Sequence, residues 1–137
     1  MTVGEFVNGI CRALKIRRPT VQRYDGTGTG LADLSSDGKT LRVRQAADER
    51  DLYFAIAHEL RHGWQLRHRQ ELLDGYKTRA ECGSVEEYNL QPAEIDAHAY
   101  AALVMISAFG VRPLFDGLSD DVKKEIAAKM QAIASDE

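Results

Sequence analysis

At 137 residues the chain has the length of one compact domain with a hydrophobic core of its own, so residues 1–137 are expected to form a single unit. Apolar residues at 44% and charged ones at 28% are ordinary for a soluble globular protein, and a formal charge of −3 gives no overall attraction to nucleic acid or an anionic bilayer. Two short basic runs, Lys15-Ile16-Arg17-Arg18 and Arg67-His68-Arg69, read as solvated surface, so neither nucleic acid nor membrane is an expected partner.

Val3, Phe6, Val7, Ile10 and Leu14 recur at helical spacing, which predicts an amphipathic helix over residues 2–16 that ends before Pro19. This opening lacks the continuous apolar run of a secretory signal, and the longest apolar stretch, residues 99–106, is too short to span a bilayer. Cytoplasmic residence is the expectation, and in that compartment Cys11 and Cys82 are expected as free thiols. Neither cysteine has the paired spacing of a zinc knuckle.

A strand is expected over residues 20–24. Gly26-Thr27-Gly28-Thr29-Gly30 lacks the Lys-Ser/Thr of a phosphate loop and reads as a flexible turn. Residues 31–34 and 40–44 flank an Asp37-Gly38 hairpin signal, completing an expected small antiparallel sheet. Acidic residues from Asp48 open a helix in which Leu52, Ile56 and Leu60 repeat every four positions. Residues 70–90 are polar and read as a long connection with one short helical turn. Gln91-Pro92 begins a second, largely buried helix that runs to about residue 108 and is closed by Gly110 and Pro113. A last amphipathic helix starts after Ser119, with Val122, Ile126, Met130 and Ile133 inward.

The chemistry is concentrated in His58-Glu59-Leu60-Arg61-His62, an HExxH pattern. Four residues apart on a helix, His58 and His62 present two imidazoles to one metal ion. Glu59, one position on, stands where a general base would take a proton from a metal-activated water and later give it to a leaving group.

A catalytic zinc site needs a third protein ligand, and the chain offers Glu94, Asp96, His98 and His68. His68 has the outer spacing of the metzincin pattern, but an unbroken helix carries it about 240° around the axis and about 9 Å along from His62. Gln65 stands where metzincins turn at glycine. Glu94 fits better: it shares a stripe with Ala97, His98 and Ala101, and small alanines allow the second helix to approach the first. Asp96 and His98 stay open as ligands, or as groups orienting a ligand histidine. His98, Tyr76, Tyr88 and Tyr100 are candidates to stabilise an oxyanion.

With a helix, a small sheet, HExxH and Glu94-Ile95-Asp96-Ala97-His98-Ala99-Tyr100-Ala101, residues 40–108 resemble the ImmA/IrrE type of compact zinc metallopeptidase found in prophages and mobile elements, within the wider minigluzincin group. The resemblance implies a zincin-like α+β fold, one Zn²⁺ held by His58, His62 and Glu94, and Glu59 as general base in peptide-bond hydrolysis of a protein partner such as a regulator. Arg61, where that family often has glycine, and His98, where gluzincins carry an orienting acid, are departures. They keep a second expectation in view, a catalytically inactive zincin-derived binding module with a structural metal or none.

Overall fold

The computed structural model describes residues 1–25, 30–45 and 49–136. The expected turn at residues 26–30 lies outside them except for Gly30, and so does Asp48 at the expected start of the second helix. The described residues form an α+β fold of five helices and one three-stranded sheet.

Helix α1, Val3–Leu14, is capped by Thr2, whose hydroxyl accepts from the Glu5 N–H at 3.1 Å, and it stops where Lys15 turns left-handed at φ 56°. Phe6, Val7, Ile10, Cys11 and Leu14 are buried, as their spacing predicts. Both cysteines are free and buried.

Strands β1 (Thr20–Tyr24), β2 (Ala32–Leu34) and β3 (Thr40–Arg44) fall where expected, but the order is β1-β3-β2 and the pairing is mixed. β2 pairs antiparallel with β3 through the hairpin, whereas β1 lies parallel to β3 with Val21 opposite Leu41. The expectation of an antiparallel sheet is thus corrected for one of its two pairings. Burial supplies the reason. β3 carries Leu41 and Val43, both fully buried, and belongs in the middle; β1 and β2 bury less and take the edges. Gly38 makes the hairpin with φ +74°, a left-handed conformation suited to glycine.

Helix α2, Glu49–His68, lays Leu52, Ile56 and Leu60 against this sheet and α1. Each such side chain, fully buried, contributes about 1.5–3 kcal/mol. Helix α4, Pro92–Phe109, starts with Pro at its first turn and ends at Gly110, φ 66°. Ala93, Ala97 and Ala101 are fully buried on it, and α2 and α4 pack closely. Helix α5, Asp120–Ser135, is capped by the Ser119 hydroxyl and packs Val122 and Ile126 on Ile95 and Ala99 of α4. None of the described helices is long and apolar enough to cross a membrane.

Residues 70–90 hold more structure than their polarity predicts: one turn of 3-10 helix at Gln70–Leu73, another at Arg79–Glu81, and helix α3 at Val85–Asn89. Side chains supply what apolar contacts do not. Thr78 and Glu81 form a capping box, Ser84 caps α3, and the Gln91 amide bridges both backbone groups of Lys77, at 2.7 and 3.0 Å. This segment carries Tyr76 and Tyr88 to the face where α2 meets α4.

Candidate metal centre

One turn of α2 stacks His58 over His62, and α4 brings Glu94 in from the side. The two imidazole Nε2 atoms are 3.2 Å apart, His58 Nε2 lies 3.2 Å from Glu94 Oε1, and His62 Nε2 lies 2.9 Å from Glu94 Oε2. Ligand atoms about 2 Å from a tetrahedral ion stand about 3.3 Å from one another, so the three observed separations fit a single small cation. Such a group could hold a metal ion.

Electrostatics match that geometry. Glu94 is 1% exposed, and burial works to protonate it, but hydrogen bonds from His58 and His62 prevail and hold its carboxyl far below the usual range. Burial pushes His58 down, toward the neutral imidazole that a metal needs. Burial also acts to lower His62, yet the facing Glu94 carboxylate raises it instead. The Glu94 carboxylate thus keeps its negative charge facing both imidazoles, where a cation would balance it.

The next layer of contacts fixes which nitrogen of His62 points inward. The Gln65 amide nitrogen faces two acceptors, the Ala93 carbonyl and Asp96 Oδ2, each at 2.9 Å. Its oxygen is left to accept from His62 Nδ1–H at 2.8 Å, which turns Nε2 to the centre. Asp96 is held in turn by the fork of Arg61, with Nε to Oδ2 at 2.8 Å and a terminal nitrogen to Oδ1 at 3.1 Å. The Arg61 guanidinium lies 3.5 Å from the Trp64 ring centroid and 4.6 Å from that of Tyr100. Burial acts against the Asp96 charge, but Arg61 keeps its carboxyl below the usual value.

These contacts sort the sequence candidates. Asp96 is engaged by Arg61 and Gln65 and is not among the converging atoms; it acts on His62 through Gln65. His68 is exposed, with Nε2 3.0 Å from the Lys15 carbonyl, and plays no part in the triad. The His98 ring stands edge-on to His58 with centroids 4.5 Å apart, and its Nδ1 donates to the Glu94 carbonyl at 2.8 Å. Burial drives the His98 pKa down to about 4, so at neutral pH its single proton sits on Nδ1 and Nε2 is an acceptor. That leaves His98 poorly suited to receive an oxyanion. Tyr100 belongs to the core. Tyr76 is the better-placed donor: its hydroxyl gives to Glu94 Oε2 at 2.7 Å and meets the Tyr88 hydroxyl at 3.0 Å. Burial, then Tyr88 and Glu94, raise the Tyr76 pKa, so the phenol stays protonated.

Glu59 flanks the triad, with Oε2 3.9 Å from His58 Nε2. Its Oε1 accepts from the outward-facing N–H of Leu34 on edge strand β2, at 3.2 Å. Burial raises its pKa to about 7, the range in which a group both accepts and returns a proton. Glu59 and His62 open on a cleft of about 330 Å³ walled by Leu34, Ser35, Tyr76 and Tyr88.

Sequence reasoning missed Gln65 and the purpose of Arg61, noting both only as departures from other patterns. One signal was present: an acid on an apolar helix requires a cation, and Arg61 and Gln65 lie one turn apart on the helix that faces it. Compared with family models, with curated proteins and with solved structures, the chain matches none.

Proposed function

We propose that this chain is a zincin-like, zinc-dependent metallopeptidase of the ImmA/IrrE kind, cutting peptide bonds in a protein partner such as a regulator. The observation that carries the reading is the convergence of His58, His62 and Glu94 at tetrahedral spacing beside a carboxylate that faces a cleft. Two imidazoles and one carboxylate are a ligand set suited to zinc with one position left open. When bound, zinc lowers the pKa of a coordinated water and polarises a carbonyl oxygen.

The chain's own residues supply the rest. Glu59, with its pKa near neutrality, accepts the proton of the attacking water and returns it to the departing amine. Tyr76, kept protonated, swings its O–H from Glu94 toward the oxygen on which charge develops. Gln65 and Asp96 hold His62 in one tautomer throughout. The open edge of β2 beside Glu59 suits a substrate in extended conformation. Free, buried thiols at Cys11 and Cys82 support a cytoplasmic location.

The test is hydrolysis of a mixed peptide library by the zinc-loaded chain, read by mass spectrometry, beside Glu59→Gln. Cleavage that disappears in Glu59→Gln while zinc is retained is the expected result. Stoichiometric zinc without turnover would sink the peptidase reading in favour of a binding module with a structural metal.

A further inference from the structure

The two basic runs that the sequence separates by some fifty positions meet in the fold. The exit of α1 and the end of α2 are tied where His68 Nε2 contacts the Lys15 carbonyl, and the hairpin of β2 and β3 closes the third side. Between them lies a groove of about 650 Å³. Its floor is apolar, from Ile16, Pro19, Leu60 and Leu66, and its rim carries Arg17, Lys39 and Arg67, whereas the Arg18 guanidinium turns back toward Gly4 at the start of α1. All three cations are exposed, and among the described residues no carboxylate lies within ion-pair distance of them. The one acid in the wall, Asp37, is already engaged by the Ser35 hydroxyl at 2.6 Å and the Lys39 N–H at 2.9 Å. Three positive charges against the single carboxylate of Asp37 leave the groove locally basic on a chain whose net charge is −3.

The groove adjoins the metal cleft. Leu34 and Leu66 belong to the walls of both, and the Leu34 N–H is the group that meets Glu59. Gly63, the residue after ligand His62, has no side chain to fill the space: a Cβ there would stand 3.4 Å from Leu34 Cδ2 and 3.6 Å from Ile16 Cδ1. The floor thus rests on the backbone of the ligand helix itself.

We propose that this groove is a substrate subsite for an acidic peptide segment, so that the partner cut at the metal centre carries Asp or Glu residues interspersed with apolar ones beside the cleaved bond. The inference rests on the peptidase reading for its purpose, though not for its physics. Apolar side chains of the segment meet the leucines and Ile16, and its carboxylates meet the arginines and Lys39. Arginine supplies most of the rim, and its planar fork matches a carboxylate.

Binding is measured by fluorescence anisotropy on the full chain, with a fluorescein-labelled decapeptide of alternating Glu and Leu, a Lys-Leu counterpart and a labelled oligothymidylate. The acidic peptide is expected to bind, and Arg17→Glu with Arg67→Glu to weaken it by about tenfold or more at low salt, an effect that added salt diminishes. These side chains are exposed, and circular dichroism verifies the fold; Arg17→Gln with Arg67→Gln gives a milder loss in the same order. Equal binding of both peptides, no binding of the acidic one, or an unchanged affinity in the charge-reversed chain overturns the proposal. Tighter binding of the oligothymidylate, lost in the same variant, overturns it in favour of a nucleic-acid surface. Zinc content and turnover are read on the same preparations. Charge-dependent binding without turnover leaves the groove and removes the peptidase, whereas turnover without charge-dependent binding removes the groove alone.

Discussion

Breaking the buried Arg61–Asp96 pair will destabilise the chain even when no metal is present. Asp96 is 1% exposed and Arg61 7% exposed, so either partner left alone is a charge held away from water. Loss of one member of such a pair costs about 3–5 kcal/mol. Two features place Arg61→Met near the lower end: Asp96 keeps the Gln65 amide at 2.9 Å, and Lys129 stands 3.8 Å away. Stacking on Trp64 and Tyr100 adds about 0.5–1 kcal/mol that methionine replaces only in part. The expectation is about 3 kcal/mol for Arg61→Met and a similar loss for Asp96→Ala, out of a total of about 5–15 kcal/mol for a domain of this size. The double variant costs less than the sum, with a coupling of about 2 kcal/mol. Urea unfolding at pH 7 with excess chelator reads all four corners of the cycle. Because the folded-state pKa of Asp96 lies below its ordinary 3.8, the pair's contribution is complete above that pH and fades as pH falls through the lower value. Wild type and Asp96→Ala should therefore converge in strong acid. Single losses under about 1 kcal/mol, or strictly additive ones, would refute the reasoning.

Gln65→Leu keeps the bulk of the side chain but frees the His62 ring, and isothermal titration should show zinc affinity reduced about 10–100-fold with the fold intact. Glu59 titrates near 7 in the metal-free fold against an ordinary 4.5, so its ionisation costs stability increasingly from pH 4.5 to 7. Metal-free Glu59→Gln should match wild type near pH 4.5 and exceed it by about 1 kcal/mol or more at pH 8, as thermal or urea unfolding will report. Tyr76→Phe should lower kcat by about 10²–10³ with little change in zinc content; an unchanged kcat would move oxyanion stabilisation to another group.

Much of the architecture is legible in the chain because its signals are local. The spacing of Phe6, Ile10 and Leu14, the Asp37-Gly38 turn, Pro92 at a helix start and Ser119 at another each act within a few residues, and each element falls where they place it. The parallel pairing of β1 with β3 was not legible, since it depends on which strand buries both Leu41 and Val43 in three dimensions. The order within residues 70–90 was missed for a related reason: those turns are held by side-chain-to-backbone bonds from Thr78, Ser84 and Gln91, which leave no apolar periodicity. At the site, HExxH named two of the converging groups by spacing alone. The third, Glu94, was preferred by its stripe over Asp96, His98 and His68, but the choice between Glu94 and Asp96 turns on the rotation of α4 against α2, in which Asp96 faces Arg61 and Glu94 the histidines. Two basic runs that looked like solvated surface gained significance only when the fold joined them.

The most direct test of the central claim is zinc content by elemental analysis, on wild type, His58→Ala, Glu94→Ala and His68→Ala purified without added metal. Near one zinc per chain in wild type and His68→Ala, lost in His58→Ala and Glu94→Ala, is the predicted result. A wild-type chain that stays free of zinc after gentle reloading, or a Glu94→Ala chain that keeps it, would contradict the account.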